Sequence, residues 1–255
     1  MEHITAKQLE ILQLVYRFRF LDRSHIQQLL NHKDPKRINV WLKDLTEKRI
    51  LGRHYSTKLK ENTKPAIYYL ATKSRLILLD QDNINPKILK RAYRDKNCSK
   101  RLIEHYLFIA HFYLQLNKQT KMEGSKLHFF TKTDLLEHYY LPFNRPDAYI
   151  SLEGKNETKR YFLELIDEGT PRFMLRKKIQ SYFYYFDQNS WTKHTGYDNP
   201  SLLFVCPNVQ IHDFLQKFIA STKDEETSDL QFFTSLMSQI QASGITKTTW
   251  HPVET

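Results

Sequence analysis

The sequence predicts an α+β chain of two domains: a small three-helix unit closed by a β-hairpin, then an α/β unit around a central mixed sheet. Three observations carry this expectation. The chain has 255 residues, more than one domain of about 100–200 residues usually needs. Helix-start signatures crowd the first fifty residues and are followed by two short β-rich runs. The charge is also divided. Residues 1–101 carry 23 Lys and Arg against 10 Asp and Glu, a net of +13, whereas the remainder carries 16 against 18, giving +11 overall. A basic first part joined to a near-neutral second part predicts that the first part meets a polyanion. Hydrophobic residues make up 40% and charged residues 26%, the composition of a globular chain.

The first domain is expected over residues 1–80. Thr5 with Gln8 three residues on is a capping box, opening a helix that buries Leu9, Leu12 and Tyr16, with Ile11, Val15 and Phe18 widening its face. Phe20-Leu21 breaks the pattern. Ser24 with Gln27 reads as a second capping box, opening a short helix with Ile26, Leu29 and Leu30 inward. After the turn Asn31-His32-Lys33, Asp34 caps a third helix and Pro35 sits at its first position, where a missing N–H costs nothing. Ile38, Trp41, Leu42 and Leu45 form its buried stripe, and Lys36, Arg37, Asn39 and Lys43 fall on the other side. Two strands follow, Ile50–Ser56 and Ala66–Leu70, joined by a lysine-rich tip bearing Lys58, Lys60 and Lys64, and Thr72 caps a further helix. Helix, helix, turn, helix, hairpin is the order of a winged helix, whose third helix enters the major groove while the wing touches backbone or minor groove. A winged helix used for protein contacts is the competing reading.

Residues 81–97 are expected to be a basic linker. Lys87, Lys90, Arg91, Arg94 and Lys96 lie either along DNA or in solvent, with Lys90, Arg91 and Arg94 taken as the DNA-facing set.

Residues 98–255 are expected to form the second domain. Ser99–Asn117 reads as a helix with Leu102, Tyr106, Ile109 and Tyr113 on one stripe. Strands are expected at 127–131, 147–152 and 160–167, a long helix at 171–187 with Leu175, Ile179, Tyr182 and Phe186 inward, a buried strand at 201–206 and a helix at 209–221. A helix or strand near 232–241 and a short strand near Thr248 end the chain.

Helix, three strands, helix, strand is the core order of the PD-(D/E)XK nuclease fold, and some of its letters are present. Pro146-Asp147 opens the second strand and Glu164 lies in the third. Two such carboxylates can hold magnesium, a hard cation that prefers oxygen, and Glu104 in the preceding helix is a third candidate ligand. Such a metal activates water against a phosphodiester. The motif also wants a lysine two residues after the acid, but that residue is Ile166; Lys177 or Lys178 from the following helix could replace it, with Lys178 the better placed. Period-2 alternation puts Asp167 on the face opposite Glu164. The catalytic set is therefore Asp147, Glu164 and Lys178.

Other chemistries lack their signatures. No GxGxxG or GxxxxGK[ST] run is present, so a nucleotide cofactor is not expected. Cys98 and Cys206 are far apart, which argues for reduced thiols and against a cysteine-based zinc site. His105 and His111 are six residues apart on a helix and do not share a face. The aromatic runs at 138–140 and 182–186 read as packing. With no signal-peptide core and no apolar run of the ~20 residues that cross a bilayer, a cytoplasmic chain without membrane contact is expected.

The ordered pattern resembles the replication-relaxation family of plasmids and other mobile elements. The matching pieces are Ile4–Leu12, Arg19-Phe20-Leu21, the third-helix and hairpin stretch to Thr72, His105, Arg145-Pro146-Asp147-Ala148, Phe162-Leu163-Glu164, Asp167-Glu168-Gly169-Thr170, Lys178-Ile179, Tyr182 and Leu202–Val205. The resemblance implies a winged helix joined to a nuclease-like domain, and a role in plasmid replication or in relaxing or processing DNA for transfer. The chain departs from the pattern where Glu-x-Asp is expected before Gly-Thr, since Glu164 and Asp167 are separated by two residues. Three functions are open: a binder of double-stranded DNA that assembles replication, transfer or DNA-processing proteins at an origin or transfer site; a magnesium-dependent endonuclease steered by its winged helix; and a protein-recruiting adaptor.

Overall fold

The computed structural model describes residues 3–55, 65–82, 84–223 and 229–254. The chain divides into two compact units, Met1–Leu114 and Gln115–Thr255.

In the first unit, α1 (Ala6–Phe18) begins at the expected capping box. The Thr5 N–H donates to Gln8 Oε1 at 2.9 Å, and the Gln8 N–H returns a bond to Thr5 Oγ1 at 3.3 Å. Ile11, Leu12 and Val15 are fully buried, and Arg19 ends the helix at a φ of 70°. β1 (Leu21–Asp22) leads into α2 (Arg23–Leu29), which is capped by Asp22 rather than by Ser24. The Asp22 carboxylate accepts the His25 N–H at 2.8 Å, while Ser24 lies in the first turn and its hydroxyl accepts from Gln28. α3 (Pro35–Glu47) starts at Asp34 as expected and buries Ile38, Trp41, Leu42 and Leu45. Gln8 of α1 ties down Asp44 of α3 at 2.6 Å.

β2 (Leu51–His54) and β3 (Ile67–Leu70) pair antiparallel, and β1 adds to the other edge of β3, giving the order β1-β3-β2. Gly52 lies opposite Tyr69, whose ring fills the space a Cβ would need, so only glycine fits there. The helix–helix–helix–hairpin order is thus the one expected from the sequence. The lysine-rich tip lies outside the described residues.

The stretch read as a linker folds onto this unit. α4 (Ser74–Leu78), α5 (Pro86–Leu89) and α6 (Ala92–Asp95) bury Leu78, Ile88, Leu89, Ala92 and Asp95. The Asn85 N–H donates to Tyr16 Oη at 2.9 Å, and Arg19 holds Asp95 at 2.8 Å. The long α7 (Lys100–Glu123) carries the division between the units within it, and its Ile103 packs with Phe20 and Tyr69. Of the stripe predicted on α7, Ile109 is fully covered; Leu102, Tyr106 and Tyr113 are half-buried, and Phe108, Ala110 and Phe112 lie deeper.

The second unit is a six-stranded mixed sheet, ordered β4-β5-β6-β7-β8-β9. β4 (Lys126–Thr131), β5 (Ala148–Glu153) and β6 (Thr158–Leu165) form an antiparallel meander. α8 (Arg172–Asp187) and the short α9 (Ser190–Thr195), which the sequence did not reveal, cross over to β7 (Ser201–Cys206), parallel to β6. α10 (Val209–Thr222) leads to β8 (Phe232–Leu236), also parallel, and α11 (Met237–Ser243) to the antiparallel β9 (His251–Pro252). The stretch at 232–241 is therefore strand and then helix. From α7 to β7 this is the predicted nuclease-like order around a mixed sheet. The core is aromatic: Phe162 on β6 lies within 5.4–6.4 Å of the rings of Tyr149, Tyr182, Tyr185, Phe186 and Trp191. After its first residue, Ser201, β7 is apolar and buried on both faces, as an interior parallel strand must be. Among the described residues no helix is long and apolar enough to cross a membrane.

Candidate nucleic-acid interface and buried acid–lysine site

Because the stripe of α3 is fully engaged with the core, its other face projects outward. Lys36, Arg37, Asn39, Val40 and Lys43 are all exposed. The Arg37 guanidinium lies 5.7 Å from the Trp41 ring centroid, and Lys43 is 3.8 Å from Glu47, a loose solvent-screened pair. Val40, which charge-based reading passes over, is 56% exposed in the middle of this face. Lys58, Lys60 and Lys64 lie outside the described residues. The three linker cations separate. Lys90 and Arg94 are exposed, with Arg94 Nε donating to Tyr93 Oη at 2.6 Å. Arg91 turns inward and donates to the Tyr16 carbonyl at 3.0 Å, and burial pushes its pKa down.

In the second unit the sheet brings Asp147 and Glu164 together. Asp147 immediately precedes β5, and its Oδ2 accepts the Leu165 N–H at 2.9 Å, anchoring it beside the end of β6. Its Oδ1 faces Lys132 Nζ at 3.6 Å. Glu164 on β6 is 0% exposed and has a partner on each oxygen: Lys178 Nζ on Oε2 and Tyr182 Oη on Oε1, both at 2.5 Å. Lys178 and Tyr182 are one turn apart on α8, so one helix face delivers both. Ile166 is a core residue, and Lys177 is exposed beside Phe173. Glu104 belongs to the first unit, where its exposed carboxylate lies 3.7 Å from Lys100.

Glu164 is answered by Lys178 and Tyr182 while Lys132 stands beside Asp147, and Glu164, Lys178 and Tyr182 all hold their protons more tightly than usual. Burial raises the Glu164 pKa, the Asp147 charge adds to this, and Lys178 and Tyr182 only partly offset it. Burial alone would lower the Lys178 pKa, but the attraction of Glu164, Asp147 and Asp167 outweighs it and the pKa is raised. The Tyr182 phenol is pushed well up by burial and then by the adjacent Glu164. Asp167 thus acts on the cluster although strand alternation assigned it to the opposite face. β6 ends at Leu165, and alternation stops with it. Tyr182 and Lys132 are the members sequence reasoning did not assign to the site; the four-residue spacing from Lys178 to Tyr182 was the available signal.

As arranged, these residues do not fit magnesium. That ion takes six oxygen ligands and keeps several as water. Glu164 is sealed from solvent with both oxygens engaged, and one Asp147 oxygen is held by backbone. Among the described residues no three His, Cys, Asp or Glu side chains gather.

The fold and this cluster define a two-unit protein: three helices and a hairpin with one exposed cationic helix, and a mixed-sheet unit in which two acids and a lysine gather. The chain belongs to the replication-relaxation family, whose model matches residues 12–199. No curated protein matches the sequence. Among solved structures it is similar to the restriction endonuclease FokI, with a TM-score of 0.31, 12% identity and coverage of 95% of this chain and 45% of that one. It is also similar to FokI bound to DNA, with a TM-score of 0.28, 13% identity and coverage of 94% and 45%. The chain thus spans less than half the length of these structures.

Proposed function

We propose that this protein binds double-stranded DNA at an origin or transfer site of a plasmid or other mobile element, and there assembles replication, transfer or DNA-processing partners. Its first unit acts as a winged helix with α3 as the reader. The observation that carries this is α3 itself. One face is wholly committed to the core, and the other presents Lys36, Arg37, Asn39 and Lys43 to solvent. Arginine and asparagine pair with guanine and adenine edges, an exposed Val40 suits a thymine methyl, and the lysines suit phosphates. Selection of duplexes retained by the purified full chain, followed by binding at several salt concentrations, tests the reading. A preferred site with steep salt dependence supports it. Salt-independent or absent binding would leave the protein-recruiting adaptor.

One observation favours a second reading, a metal-dependent endonuclease. Lys178 touches Glu164 within the field of Asp147, which gathers the acid, acid and lysine of the motif with the lysine supplied by α8. Cutting by this trio needs Glu164 freed from Lys178 and Tyr182. Nicking of supercoiled DNA in Mg2+ or Mn2+, abolished by Asp147→Ala with binding intact, supports it; binding without cutting leaves the binder alone.

A further inference from the structure

A second surface with nucleic-acid chemistry lies in the second unit, away from any motif. A cleft of about 490 Å³ opens between α8 and α10, lined by Arg172, Gln210, Asp213, Phe214, Lys217 and Phe218 among others. Its volume lies within the range of pockets that take small organic groups, about 300–1,000 Å³. Phe214 and Phe218, one turn apart on α10, are parallel, with centroids 5.9 Å apart and planes 6° from each other. Arg172 lies 5.1 Å from the Phe214 ring, and Arg176 lies 5.6 and 5.8 Å from the two rings. Arg172, Arg176 and Lys217 are exposed, and none is ion-paired with a carboxylate among the described residues. The one acid lining the cleft, Asp213, is turned to His212 Nδ1 at 3.0 Å.

We propose that this cleft binds single-stranded nucleic acid, with phosphates on Arg172, Arg176 and Lys217 and bases stacked on the guanidinium–phenylalanine layer. Three cations against the single carboxylate of Asp213 leave the cleft net positive, which selects a polyanion. Flat guanidinium planes backed by parallel rings select a partner with free π faces, which bases offer when they are unpaired. In a duplex those faces are stacked inside the helix and unavailable to the rings. The cleft shares no lining residue with the first unit or with the acid–lysine cluster.

The test is fluorescence anisotropy of the full chain with three probes: an oligo(dT) of about 16 nucleotides, the upper site size of compact single-strand binders, an abasic strand of equal length, and a blunt duplex. Arg172→Gln with Arg176→Gln, both at exposed positions, should weaken oligo(dT) binding about tenfold or more and leave the duplex as in the parent. Phe214→Leu, which keeps apolar bulk under the arginines, should do the same for oligo(dT). Arg37→Ala should do the reverse. Unchanged oligo(dT) affinity in both cleft variants overturns the proposal. So does an abasic strand that binds as tightly as oligo(dT), or polyglutamate that displaces the strand as effectively as unlabelled oligo(dT), since either outcome reduces the cleft to a patch for any acidic chain.

Discussion

Glu164 is a carboxylate removed from water and answered by one ammonium and one phenol. Its raised pKa means that the folded chain keeps a proton that the unfolded chain releases. Stability should therefore fall as pH rises from the ordinary glutamate value through the raised one. Glu164→Gln should lose this descent; urea unfolding across that window checks it, and equal slopes in the two proteins would show that Glu164 does not titrate there. Lys178→Met leaves the carboxylate without its cation and should cost about 3 kcal/mol, the lower end for breaking a buried pair, because Lys178 keeps 29% exposure. Tyr182→Phe removes one donor and should cost about 1–3 kcal/mol. Lys178 was legible because its helix and its place beside the stripe could be read from spacing. Tyr182 was not, because a tyrosine at an apolar position looks like any core aromatic until its hydroxyl partner is known.

At the scale of elements, the start and buried face of α3 were legible, since its cap, its N1 proline and its stripe are local signals that all agree, whereas its end at Glu47 carries no such signal. Arg37→Ala or Asn39→Ala should cost about 1–3 kcal/mol at the preferred duplex and relax specificity, as gel-shift titrations on preferred and scrambled sites would show. Unchanged binding to both sites would remove α3 as the reader. The short helices after the hairpin were less legible because their partners are distant in sequence. Arg91 reads as one more linker cation, yet it donates to the Tyr16 carbonyl in the last turn of α1, where helix carbonyls lack intrahelical partners. Arg91→Ala should therefore lower unfolding stability, by about 1–3 kcal/mol, and leave the DNA affinity of the folded protein alone. Lys90→Ala with Arg94→Ala should show the opposite pattern in the same two assays.

At the scale of the molecule, the charge shift near residue 101 signalled two parts, and the chain divides into two compact units within α7. Composition reports where charge changes, whereas a unit is bounded by packing, and Ile103 on Phe20 and Tyr69 keeps the start of α7 with the first unit. The charge division still makes a prediction. The first 101 residues hold a net +13 and the rest −2, so duplex binding should draw its counterion release from the first unit. For every phosphate that a variant no longer neutralises, the slope of log K against log salt should flatten by about 0.9. Neutralising Lys36 and Lys43 together should then flatten it by up to about 1.8, and neutralising Lys58, Lys60 and Lys64 should flatten it further, with affinity falling alike on all sequences. Neutralising Arg172 and Arg176 should leave the duplex slope where it was. If the slope instead follows the second-unit arginines and ignores α3, the duplex lies on the second unit, and the basic first unit serves another partner.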